Sequence, residues 1–273
     1  MNDPGFLEIN AADLRSYLNS RHEKEFLLLD VRQHMEYELG HIPGATLLPL
    51  SELELRLFDL PPEKDLIFYC RSGARSAAAA SLAAEGEITD KKIFSLAGGI
   101  FAWEGKTLEG FPKMQVFDKK RSLPALLYTA MDLEKGAWRF YRHLLDRFAG
   151  EPIAETIDTL SKAESGHARL VYRFWKKTAE APPAFEAIFE ELAGEILEGG
   201  ENLEDALRRI EHLEGDHCLN AVEIALGIEY AAYDLYRSMA DRVESADARE
   251  ALLSISQAEK AHMRALSRAV GLC

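Results

Sequence analysis

Ala163-Glu164-Ser165-Gly166-His167 and Ala258-Glu259-Lys260-Ala261-His262 are two copies of one signal, set 95 residues apart. In each copy a further glutamate lies thirty residues upstream, Glu134 for the first and Glu229 for the second. The surroundings repeat at the same offset: Ala130 with Ala225, Ala137 with Ala232, Tyr141 with Tyr236, Asp146 with Asp241, Ser161 with Ser256. Residues i and i+3 share a helix face, so each Glu-x-x-His pair can grip one ion. Two helical hairpins, each giving one Glu and one Glu-x-x-His, are how a four-helix bundle assembles a two-metal carboxylate site. Without metal, four carboxylates in an apolar core would repel one another and lose hydration, at several kcal/mol per ion. Surface glutamates on amphipathic helices would explain any one of these residues, but not the paired spacing in both copies. Oxygen and nitrogen donors without thiolate suit iron or manganese, and affinity alone does not exclude zinc.

The rest of the C-terminal half fits that arrangement. Helical patterns are expected over roughly 122–148, 153–179, 217–244 and 247–270. Gly150-Glu151-Pro152 and Ser245-Ala246-Asp247 make short links, hence antiparallel neighbours. The connection over about 180–216 is longer, with short helices expected near 185–197 and 203–213. Tyr141 and Tyr236 follow their glutamates by two turns on the same face, in reach of a hydrogen bond to a ligand carboxylate or simply packed in the core.

The first half reads differently. Phe26-Leu27-Leu28-Leu29-Asp30-Val31, Leu66-Ile67-Phe68-Tyr69 and Lys92-Ile93-Phe94-Ser95-Leu96 are short apolar runs separated by helical patterns near 11–21 and 75–86. Such alternation predicts a parallel sheet covered on both faces. The second run ends at Cys70-Arg71-Ser72-Gly73-Ala74-Arg75-Ser76, a loop between a buried strand and a helix. Backbone N–H groups there point inward at the positive end of the helix dipole. With Arg71 and Arg75 beside it, a thiolate at Cys70 is expected to be stabilised and reactive.

Composition narrows the classes. The 273 residues carry a net charge of −14 with both halves acidic, which argues against nucleic-acid binding. No apolar run of about 18 residues predicts a membrane span, and the N-terminus MNDPGFLEIN shows no leader pattern. Cys70, Cys218 and Cys273 form no CxxC pair, so neither a disulfide framework nor a four-cysteine metal site is expected. A cytoplasmic location is the expectation.

Residues 1–115 resemble a rhodanese domain. The matching marks are Leu29-Asp30-Val31-Arg32, Glu36, His41-Ile42-Pro43-Gly44-Ala45, Tyr69 through Ser76, and Gly98-Gly99-Ile100 with Trp103. The resemblance implies a sulfurtransferase: Cys70 takes a sulfane sulfur from thiosulfate or a persulfide, and a thiol acceptor removes it. Arg71, Ser72, Gly73, Ala74 and Arg75 would form the substrate-binding loop. Related phosphatases use Cys-x5-Arg; the Cys-x4-Arg spacing here makes a smaller cradle. Asp30 and Arg32 are expected to form an ion pair behind the loop, and His41 to serve the fold. Residues 116–273 resemble the rubrerythrin branch of the ferritin-like superfamily. That resemblance implies two iron ions held by Glu134, Glu164, His167, Glu229, Glu259 and His262, and peroxide reduction or oxygen chemistry. Typical rubrerythrins carry an extra glutamate one turn after the third-helix ligand, where this chain has Ala232. No rubredoxin module is present in the sequence, so electrons are expected from an external donor or from the sulfur chemistry.

The expected architecture is thus an α/β rhodanese-like domain followed by an all-α ferritin-like four-helix bundle. The expected function is bifunctional sulfur transfer and oxidant handling, by analogy in a homodimer. An iron-storage bundle with an auxiliary rhodanese domain and a persulfide-oxidising fusion are the alternatives. Cys273, at the C-terminus, is a candidate acceptor for sulfur from Cys70.

Overall fold

The structure is a computed structural model describing residues 5–117 and 122–273. The chain separates into two compact units, Met1–Phe111 and Pro112–Cys273, a few residues earlier than the expected boundary at 115/116.

In the first unit five parallel strands form one sheet in the order β1-β5-β4-β2-β3. They are β1 (Leu7–Ile9), β2 (Phe26–Asp30), β3 (Thr46–Leu47), β4 (Asp65–Tyr69) and β5 (Ile93–Leu96). The apolar runs are unbroken because both faces of the central strands are covered. Leu27, Leu29, Leu66 and Phe68 face one core, with Leu53 of α3 (Leu50–Arg56) and Ala79, Ala80 and Ala83 of α4 (Ala74–Glu85). Phe26, Leu28, Ile67 and Tyr69 face the other, with Leu14 and Leu18 of α1 (Ala11–Ser20) and Tyr37 of α2 (His34–Glu38). Alternate residues of one strand thus feed two cores, as the strand period of two requires. Ala79, Ala80 and Ala83 are fully buried and let α4 approach the sheet closely. Asn10 starts α1 by accepting a hydrogen bond from Asp13 N–H.

The second unit is built on four long helices: α5 (Leu123–Arg147), α6 (Ala154–Trp175), α9 (His217–Ala240) and α10 (Ala246–Ala269). The short turns after α5 and α9 pair each helix with its successor. Pro124 opens α5, and Asp216 and Ser245 cap α9 and α10 through bonds from Leu219 N–H and Ala248 N–H. Between the pairs, α7 (Phe185–Glu191) and α8 (Leu203–His212) lie in the crossover. The expected helix at 185–197 stops at Glu191. Gly194 takes a positive φ of 55°, and the chain then folds into a tight hairpin closed by an antiparallel bridge between Ile196 and Asn202.

The cysteines also differ from expectation. Cys218 and Cys273 are disulfide-bonded, with Cα atoms 5.5 Å apart, so Cys273 is no free acceptor for sulfur. The antiparallel return of α10 along α9 brings the C-terminus to the start of α9, a proximity that no local cysteine spacing encodes. Cys70 is the free cysteine among the described residues. No described helix is long and apolar enough to cross a membrane.

Candidate functional site

Cys70 sits at the carboxyl end of β4, in the middle of the sheet, where ligands of open parallel sheets bind. It is 1% exposed. Gly73 takes a φ of 105° as the N-cap of α4, which turns its N–H back to donate to Cys70 Sγ at 3.1 Å. Burial opposes ionisation of the thiol. The Ser76 side chain and the backbone N–H groups of Ser76, Ser72 and Gly73 outweigh it and hold the pKa below its ordinary value.

The loop is braced from behind. Gly99 has a φ of 60°, and a Cβ there would stand 2.5 Å from Cys70 O and 2.6 Å from Ser72 N. Only glycine lets this turn press against the loop, where Ile100 N–H donates to Cys70 O at 2.8 Å and Phe101 N–H to Arg71 O at 3.2 Å. Asp30 and Arg32 form the buried ion pair expected of them, with Nη2 and Oδ2 2.6 Å apart. His41 is buried and stacks on Tyr37 at 3.9 Å between ring centroids, a packing role.

The arginines differ from expectation. Arg75 is clamped by Glu36 through two bonds of 2.7 Å. Arg71 is exposed and lies over the Phe101 ring at 4.8 Å. The thiol is therefore acidified chiefly by hydrogen bonds rather than by free guanidinium charge. Ser76 belongs to the cradle; the sequence reading had it in the loop but ended the substrate-binding residues at Arg75.

In the bundle all six expected ligands are buried: Glu134, Glu164, His167, Glu229, Glu259 and His262 are each at most 9% exposed. The helices bring them to one place. His167 Nδ1 lies 3.2 Å from Glu134, 3.1 Å from Glu164 and 3.5 Å from Glu259. His262 Nδ1 lies 3.1 Å from Glu229, 3.1 Å from Glu164 and 3.0 Å from Glu259. Glu134 and Glu229 thus approach one imidazole each, while Glu164 and Glu259 approach both. The imidazoles stack at 5.0 Å between centroids.

One nitrogen has at most one proton and cannot donate to three carboxylates at once. Several donors converging at about 3 Å from one another is the spacing expected of ligands bound at about 2.1 Å and at right angles to a common ion. Glu134 Oε1, Glu164 Oε1 and Glu259 Oε2 are buried outside good hydrogen-bond geometry, the last two although they lie 3.1 and 3.0 Å from the one nitrogen His262 Nδ1. Buried carboxylate oxygens so poorly paired are costly unless a cation meets them. The residues therefore fit a metal-binding centre.

The charges show the same strain. Burial, opposed by His167, pushes Glu134 up to about 7. Burial, together with Glu229, raises Glu259 well above the carboxylate range. Burial also acts to raise Glu164, but His262 and His167 outweigh it and hold it low. Burial acts to lower both imidazoles, but the surrounding carboxylates win and raise them far above the ordinary value.

Each tyrosine stands at the glutamate of one copy: Tyr141 donates to Glu229 Oε1, and the Tyr236 hydroxyl is buried against Glu134. A fifth carboxylate, Glu198, lies beside Glu134 and Glu164, with one oxygen of each within 4.8 Å of the others. The sequence reading missed it: the expected helix ended at Leu197, and Glu198 fell in the unassigned link before the helix expected at 203.

Comparison with known proteins divides the chain in the same way. A rhodanese-like domain model matches residues 11–106, and a rubrerythrin model matches residues 125–270, more than half the chain. A sulfurtransferase from Allochromatium vinosum is 40% identical over 81 residues, 29% of this chain and 73% of that protein. An HTH-type transcriptional regulator from Mycobacterium tuberculosis is 37% identical over 95 residues, 35% of this chain but only 40% of its own length. The crystal structure of a rhodanese-related protein from Thermoplasma volcanium, 30% identical, covers 38% of this chain and 98% of that one with a TM-score of 0.34. Two buried Glu-x-x-His pairs and their partner glutamates thus stand in a helical unit that has its own family, and the chain belongs to the rubrerythrin family with an N-terminal rhodanese-like domain.

Proposed function

We propose that the protein couples two activities in one chain: sulfane-sulfur transfer through a Cys70 persulfide, and peroxide reduction at a pair of iron ions in the bundle. The observation that carries the second activity is the convergence of four buried carboxylates on two imidazole nitrogens, several to each nitrogen.

In the first unit, ionised Cys70 attacks the outer sulfur of thiosulfate. The S–S bond of the donor breaks, sulfite leaves with the bonding pair, and Cys70 keeps the sulfur as Cys–S–S⁻. An acceptor thiolate then attacks that sulfur, forms its own persulfide and restores the Cys70 thiolate. The N–H groups of Ser72, Gly73 and Ser76 face the sulfur and stabilise negative charge there in both steps.

In the second unit, Glu134, Glu164, His167, Glu229, Glu259 and His262 would hold the two ions. Once bound, these supply the two electrons that turn hydrogen peroxide and two protons into two waters, and an external donor returns the electrons. Glu164 and Glu259 each approach both imidazoles and would serve as ligands beside either one. Tyr141 fixes the Glu229 carboxylate by its hydrogen bond.

Paired single variants test the proposal. Cys70→Ser is expected to abolish thiosulfate-to-thiol sulfur transfer and to leave peroxide consumption by the iron-loaded, reduced protein unchanged. Glu164→Ala is expected to do the reverse. Many irons per assembly without turnover would point to storage instead. Sulfite formed from persulfide and oxygen would point to sulfur oxidation.

A further inference from the structure

Glu198 stands where a buried glutamate has little reason to be. It is 2% exposed, and Oε2 has no hydrogen-bond partner. One of its oxygens lies within 4.8 Å of an oxygen of Glu134 and of an oxygen of Glu164, both acidic. Like charges and desolvation both disfavour this placement unless a cation lies among the carboxylates.

The placement is also built in detail. Glu198 follows Leu197, a fully buried anchor, in the crossover hairpin. The hairpin is closed by Leu197 N–H to Glu201 O at 2.9 Å and Leu203 N–H to Glu195 O at 2.8 Å. Its base is tied to α5: Gly194 N–H donates to Asp132 Oδ1 at 2.9 Å, and Arg139 donates to Ala193 O at 2.6 Å. Ile196 O reaches so close to α5 that a Cβ on Gly136 would meet it at 2.4 Å. On the other side a Cβ on Gly199 would meet Ala231 of α9 at 3.0 Å. Asp132, Gly136 and Arg139 flank Glu134 on α5, and Ala231 lies two residues beyond Glu229 on α9. The hairpin is therefore a wedge whose buried carboxylate arrives at the centre on the Glu134 side.

It breaks the internal symmetry at one point. Tyr141 stands at Glu229 and Tyr236 at Glu134, but Glu198 is added on the Glu134 side. From this geometry we propose that Glu198 is a fifth carboxylate ligand of the metal pair, serving the ion on the Glu134–His167 side. The inference rests on the dimetal reading above. It makes the two ion positions chemically unequal: one is served by the repeat alone, the other by the repeat plus the crossover.

Equilibrium dialysis of the chelator-stripped full chain against Mn(II) tests it, with free Mn(II) read by electron paramagnetic resonance. Wild type is expected to bind two ions per chain. Glu198→Gln and Glu198→Asp are each expected to weaken one of the two by at least about tenfold and to leave the other unchanged. The metal-free melting midpoint of neither variant is expected to fall, since Gln removes a buried like charge and Asp keeps the polarity. Wild-type binding by Glu198→Gln overturns the proposal. Wild-type binding by Glu198→Asp with weak binding by Glu198→Gln overturns it too, because charge alone would then suffice. Earlier melting of the metal-free variants would assign Glu198 to packing and also overturns it. If wild type binds no Mn(II), the dimetal reading fails and takes this proposal with it, whereas equal binding by wild type and variants removes this proposal alone.

Discussion

Gly136→Ala should destabilise the protein although alanine is the better helix former. Gly136 lies inside α5, where replacing glycine by alanine ordinarily stabilises by about 1 kcal/mol. At this position the new Cβ would stand 2.4 Å from Ile196 O and 3.1 Å from Ile196 C, so the hairpin must retreat by about 1 Å to reach ordinary contact. That retreat strains the bonds from Gly194 to Asp132 and from Arg139 to Ala193. Overpacking of this kind costs about 1–3 kcal/mol. Set against the helix gain, the net loss is up to about 2 kcal/mol, or a melting midpoint several degrees lower at about 2–4 °C per kcal/mol. Gly166 and Gly227 are the internal controls. Both are exposed in helix interiors with open space around a built Cβ, so Gly166→Ala and Gly227→Ala should each stabilise by about 0.5–1 kcal/mol. Urea unfolding of the three variants, followed by far-ultraviolet circular dichroism, reads the sign directly. A Gly136→Ala protein stabilised as much as Gly166→Ala would refute the docking of the hairpin on α5.

Other consequences follow from the two sites. Because hydrogen bonds hold the Cys70 thiol below its ordinary pKa, its alkylation rate should rise with pH earlier than that of a free cysteine, and Ser76→Ala should move the midpoint back up; an unshifted midpoint would remove Ser76 from the cradle. Asp30→Asn leaves Arg32 buried without its partner and should cost about 3–5 kcal/mol in the first unit, measured by denaturant unfolding. Reduction of the Cys218–Cys273 bond opens a loop of 55 residues and should lower stability by up to about 4 kcal/mol, seen as a lower melting midpoint in dithiothreitol that Cys273→Ser reproduces without reductant.

The sequence was most legible where a period repeats. The 95-residue offset located four helices and the six side chains that they bring together, because each one's place follows from helix geometry and from its copy. β2, β4 and β5 were legible because central strands covered on both faces are apolar without interruption. β1 and β3 escaped because each is an edge strand of at most three residues, too short to show a pattern. Glu198 escaped for a different reason. The Phe185–Leu197 stretch has helical spacing, but from Glu191 onward its backbone follows contacts with Asp132, Gly136 and Arg139 on α5, which local propensity does not contain. The disulfide was hidden in the same way, in the return of α10 rather than in any spacing of cysteines. At Arg75 the residue type suggested free positive charge, and the clamp from Glu36, 39 residues away, spends it.

The most direct measurement is the metal content of the purified full chain, expressed with ample iron, together with its absorption spectrum, compared with a Glu164→Ala, Glu259→Ala double variant. Two irons per wild-type chain, lost in the double variant along with the visible absorption, is the predicted result. A wild-type protein that takes up no metal and melts at the same temperature with and without iron would contradict the claim that these six side chains exist to hold an ion pair.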